Sequence, residues 1–111
     1  MAFVYKTLGQ QAPSTTNNVD IYTVPASTEV IVSSILICNT TSTAATFRIF
    51  QRIEGATAGT ANAIAYDQSI PGNSTTSIES KITMNAADVL TVRSGTANSL
   101  TFTVNGSEIV A

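Results

Sequence analysis

The chain has 111 residues, enough for one domain with a modest core and too few for two ordinary domains. Charged residues make up only 11% and the net charge is -2, which excludes a built-in basic patch that would draw in nucleic acid or an anionic membrane. With 43% hydrophobic residues, many of them β-branched, the chain has the composition of a folding sequence.

Apolar residues recur at every second position almost throughout, the period of a half-buried strand. Residues 1–18 read as an amino-terminal arm, with one short strand in "FVYKTL" followed by the polar run "GQQAPSTTNN". A disordered tail is the alternative. A β-sandwich domain is expected over 19–111. Its first strand, "VDIYTV", ends at Pro25 and the turn "PAST". Residues 29–39 are apolar on both faces: strict alternation puts Val30, Val32, Leu36 and Cys38 on one side and Ile31, Ile35 and Ile37 on the other. That strand is therefore central or covered on its outside.

"TTSTA" turns the chain into "ATFRIFQRI", where alternation sends Phe47, Ile49, Gln51 and Ile53 to the core and exposes Arg48, Phe50 and Arg52. "EGATAGTAN" reads as a flexible loop. "AIAYDQSI" alternates Ile64, Tyr66, Gln68 and Ile70 and stops at a Pro-Gly turn. "SIESKITM" sets Ile78, Ser80, Ile82 and Met84 against Glu79, Lys81 and Thr83. "MNAAD" is the one place where a helical turn is expected. "VLTVRS" then turns Leu90 and Val92 inward, and "SLTFTV" does the same for Leu100, Phe102 and Val104. About eight strands joined by short turns indicate an all-β fold, a two-sheet antiparallel β-sandwich of jelly-roll-like form.

Catalytic chemistry is sparse. The chain has no His and a single Cys, so Cys38 forms no intrachain disulfide and is expected to be a buried structural thiol. Without His, most metal, acid-base and nucleophilic designs are lost, and neither a cofactor nor an enzymatic role is expected. A glycosidase needs two acids flanking a cleft, and strands could bring Asp67 and Glu79 together, but any seven acids on a small sandwich supply some such pair by chance, so no glycosidase site is expected. "GATAG" lacks the Lys and hydroxyl ending of a phosphate loop. The amino terminus lacks a secretory pattern and no apolar run approaches about 20 residues, so a soluble intracellular product is expected. The face of Arg48, Phe50 and Arg52 is the best local candidate for a protein contact, since Arg and aromatics are enriched at interfaces. The alternative is that arginine stems cover Phe50, or that the outer face packs under a loop.

"YTVPASTEVIVSSILICNTTSTAATFRIFQR", followed by "AYDQSI", "NAADVLTV" and "FTVNGSEI", resembles a family of small all-β virion proteins of tailed bacteriophages, the capsid decoration or cement type. The resemblance lies in turns and strand ends and covers nearly the whole chain after Val19. It implies a non-enzymatic structural protein of the virion, assembled in the host cytoplasm. By that resemblance it forms a homo-oligomer, a trimer, that clamps the major capsid protein or other virion proteins, with no role for nucleic acid or membrane. Contacts are then expected from the arm, including Phe3 and Tyr5, and from Arg48, Phe50 and Arg52. The resemblance carries over no site residue. Many such proteins have Gly after the Pro-Ala, where this chain has Ser27. A tail, neck or fibre protein of the same particle is the second structural reading. A carbohydrate-binding sandwich is the rival, and it requires Tyr5, Tyr22 or Tyr66 to line a groove.

Overall fold

In the computed structural model, which describes residues 2–110 and the side chains of 4–110, the period-two segments become nine strands. They are β1 (Ala2–Gln11), β2 (Val19–Thr23), β3 (Thr28–Asn39), β4 (Ala45–Arg52), β5 (Ala63–Ile70), β6 (Thr75–Ile78), β7 (Ile82–Met84), β8 (Val89–Ser94) and β9 (Leu100–Val110). The first sheet has the order β1-β9-β3-β6, with β7 also on β3, and the second has β2-β8-β4-β5. Every pairing is antiparallel.

Because β6 and β7 both lie along β3, they act as one edge strand interrupted at residues 79–81. The "SIESKITM" segment is thus two short strands, where a single one was expected. Counted this way, each sheet interleaves early and late strands, the wiring of a jelly roll. The expected sandwich is the observed one.

The core lies between the sheets. Phe47 of β4 meets Phe102 of β9 edge to face, with ring centroids 6.3 Å apart. Val30, Val32, Ile35, Ile37, Ile49, Met84, Leu90, Val92, Leu100 and Val104 fill in around them, all at 0–1% exposure.

Strict alternation fails in β3. Val32 pairs with Gly106 but Ser34 pairs with Asn105, so one extra residue is inserted and the inward phase changes. Val30 and Val32 face the core before this bulge, and Ile35 and Ile37 face it afterwards, while Leu36 is turned out to 38% exposure. Cys38 turns out with Leu36 and is half-buried, not the buried thiol expected.

Asn105 holds the bulge. Its carbonyl accepts from Ser33 Oγ at 3.1 Å, and its amide oxygen accepts from Thr7 Oγ1 at 3.3 Å across the sheet. Gly106 beside it has no room for a side chain, since a Cβ would lie 2.3 Å from the Ile31 carbonyl oxygen.

The other flank of β9 carries β1, whose register shifts between Thr7 and Gly9. The expected arm therefore contains a ten-residue strand of the sheet, longer than "FVYKTL" suggested. Residues 12–18 link it to β2, with Pro13 buried and its carbonyl accepting from the Asn98 amide at 3.0 Å. Two single 3-10 turns, Ile53–Gly55 and Thr60–Asn62, occupy the segment expected to be a flexible loop. Ile53 leaves the strand there and is 64% exposed, so it is not the core residue that alternation made it. Residues 85–88 form a tight turn without a helix.

Ser27 and Ala87 adopt left-handed φ values of 56° and 73°. Ser27 thus holds, without glycine, a conformation that L side chains rarely adopt. Replacing Ala87 with Gly should relieve roughly 1 kcal/mol and raise Tm by about 4 °C in scanning calorimetry. An unchanged or lowered Tm would contradict this. Gly106→Ala should lower the urea-unfolding free energy by about 3 kcal/mol through overpacking.

Candidate functional site

The outward side chains of β4 were the sequence candidates, and the structure gives each a different fate. Phe50 is only 2% exposed, not the exposed aromatic that alternation suggested. Its ring stands edge-on to Tyr66 at 6.4 Å, and the turn Thr60–Asn62 packs against β4 beside it. The outer face of the second sheet is therefore partly roofed by residues 53–62.

Arg52 fastens that roof. Its guanidinium donates to the carbonyls of Ala56 at 2.7 Å and Gly55 at 3.1 Å, and to Asp20 Oδ1 at 2.9 Å. Thr91 Oγ1 donates to the same Asp20 oxygen at 2.8 Å. From the other side the buried Asp88 carboxylate accepts the amides of Glu54 and Asn85, each at 2.9 Å, which holds Glu54 at a left-handed φ of 52°. Arg52 is thereby committed to holding loop to sheet.

Arg48 depends on a second bulge. Phe47 pairs with Gln68 and Ile49 with Ala65, so Tyr66 and Asp67 of β5 together face Arg48. Asp67, at φ 52°, accepts two bonds from the guanidinium, at 2.7 Å from Nε and 3.0 Å from Nη2. The same guanidinium lies 4.0 Å above the Tyr66 ring centre. The hydrogen bonds from Arg48 hold the Asp67 carboxyl below its ordinary range, and the charge of Arg93 adds to the effect. Arg93 is the direct cross-strand partner of Arg48 and, among the described residues, forms no ion pair. A cleft of about 230 Å³ opens here, lined by Thr16, Thr46, Arg48, Asp67, Arg93 and Gly95.

The remaining candidates lie elsewhere. Tyr5 stands on the outer face of the first sheet, 76% exposed. The side chain of Phe3 lies outside the described residues; its backbone pairs with Ile109. Tyr22, part-buried against the core, donates to Glu108 of the opposite sheet, which also takes Lys6 at 3.1 Å. The three tyrosines thus occupy three separate surfaces and do not share a groove. Asp67 lies in β5 of the second sheet and Glu79 in the break between β6 and β7 of the first, where it accepts from Ser77, and the two form no acid pair. Among the described residues no three of the Asp, Glu and Cys side chains form a metal-binding group. Sequence reasoning missed Tyr66, Asp67 and Arg93 as neighbours of Arg48. The available signal was an Asp within a strand pattern, a residue depleted from strands.

No family model matches the chain, and no curated protein matches it in sequence.

The Tyr22 and Glu108 pair sets a pH window. Burial and then the bond to Glu108 push the Tyr22 hydroxyl well above its ordinary range, while Tyr22 and then Lys6 hold Glu108 low. Stability from Glu108 is present above its unfolded value of about 4.3 and is lost as pH falls through the lower folded value. That from Tyr22 is present below about pH 10 and is lost as pH rises further. Tyr22→Phe should cost about 1–3 kcal/mol at neutral pH and flatten both limbs in urea unfolding. Parallel pH profiles for the two proteins would contradict the coupling.

Proposed function

We propose that the chain is a non-enzymatic structural component of a bacteriophage virion, a capsid decoration protein that forms an oligomer, as a trimer, on the head shell and stabilises it. The resemblance of its turns to such proteins gives the direction, and the outer face of the first sheet carries the reading physically. Tyr5 at 76% and Leu36 at 38% exposure stand there, and Ile31 and Ile109 share the outward phase. Around them lie Ser77, Thr75, Thr101, Thr103 and Ser107. A broad face of hydroxyl and aliphatic groups with few charges buries at low desolvation cost. Many copies held by such faces gain from multivalency, because each further contact forms at high effective concentration. Jelly rolls serve many functions, so the fold by itself adds little to this reading.

Arg52 and Phe50 are poor contact candidates, being engaged internally, and the weight shifts to the Tyr5 face. The test is to add purified protein to particles lacking it and to locate it by electron microscopy. Density on the head shell is expected, and a bare shell would overturn the reading. The variant carrying both Tyr5→Glu and Leu36→Glu should keep its circular dichroism spectrum and lose shell occupancy. Unchanged occupancy would remove this face from the contact.

A further inference from the structure

The one cation left over on the outer face of the second sheet points to a ligand. Arg48 and Arg93 are direct cross-strand partners in β4 and β8, an arrangement in which like charges repel. Asp67 relieves part of this by taking Arg48 through both carboxylate oxygens, and its charge also acts on Arg93 without bonding to it. Arg93 is half-buried beside the cleft and, among the described residues, has no ion-pair partner. Two guanidiniums and one carboxylate leave a single net positive charge in the lining, next to the side chains of Thr16 and Thr46.

These features define the chemistry of an occupant. A planar carboxylate matches the fork of a free guanidinium and balances one charge. A doubly charged phosphate would exceed that charge and would meet the Asp67 carboxylate in the same wall. At about 230 Å³ the cleft is smaller than the roughly 300–1,000 Å³ of sites that enclose small-molecule ligands. It has room for one side chain whose carrier stays outside.

We infer that this cleft receives an acidic side chain of another protein surface, with Arg93 as the binding residue and Asp67 as the group that limits the site to a monoanion. The inference holds for whichever assembly the chain joins.

Heteronuclear NMR titration of the intact protein with an acetylated, amidated Gly-Glu-Gly tripeptide tests it, with acetate and inorganic phosphate as the other arms. The tripeptide should shift the Arg93 side-chain signal and the Thr46 and Gly95 amides saturably, and bind more tightly than acetate. Arg93→Gln should weaken the tripeptide by about tenfold or more, as expected for loss of a charge-assisted pair. Arg93→Lys, which keeps the charge without the fork, should fall between. Asp67→Asn should let phosphate bind. Equal shifts in Arg93→Gln would overturn the site. Phosphate binding the unmodified protein more tightly than the tripeptide would overturn the carboxylate assignment. Acetate binding as tightly as the tripeptide would mean free small carboxylates and overturn the protein-borne occupant.

Discussion

The approach of β3 and β1 to the two sides of β9 at Asn105 and Gly106 fixes the rest of the first sheet. A side chain at 106 would strike the Ile31 carbonyl, so Gly is required there on steric grounds alone. Both neighbouring strands change register at this level, and Asn105 bonds to residues on each side. The bulge in β3 allows Val30 and Val32 on one side of it, and Ile35 and Ile37 on the other, to reach the same core. Each such side chain contributes about 1.5–3 kcal/mol by burial. Without the shift, Leu36 and Cys38 would take the inward places and two isoleucines would face water.

A second bulge, in β5, has the opposite use. It brings two polar or amphipathic side chains, Tyr66 and Asp67, onto the outer face opposite a single arginine. An exposed ion pair of this kind adds little to stability, so its consequence is geometric: Arg48 is immobilised and Arg93 is left over. The two outer faces therefore differ in kind. The second sheet is roofed by residues 53–62 and largely satisfied by its own groups, apart from the cleft at Arg93. The first sheet is open and rich in hydroxyls, with Glu29 beside Ile109 and Glu79 accepting from Ser77.

Much of this was legible in the sequence. Alternation placed Phe47, Ile49, Leu90, Val92, Leu100, Phe102 and Val104 inward, and those residues form the core. The turns were marked by Pro25, by Pro71 with Gly72, and by the run "TTSTA". The Asn39 side chain is buried, donates to the Thr43 carbonyl and accepts from the Thr41 amide, which shapes the "TTSTA" turn. What alternation could not show were the bulges. Each is fixed by a partner distant in sequence: Ser33 by Asn105, and the Tyr66 and Asp67 pair by Arg48. A window along one strand contains neither partner, so the phase beyond each bulge was misread for Leu36, Cys38 and Tyr66. For Phe50 the alternative of an outer face packed under a loop holds: its cover comes from a neighbouring edge strand and from residues 53–62, whose Gly, Ala and Thr composition by itself gives no sign of packing.

The phase change in β3 is open to direct measurement. A methyl-to-aromatic NOE spectrum of the protein should connect the Ile37 methyls to the ring of Phe102, its cross-strand partner on the core side, and give no such contact for Leu36. Strong NOEs from the Leu36 methyls to Phe102, with those of Ile37 absent, would contradict the bulge and with it the assignment of both faces of the first sheet.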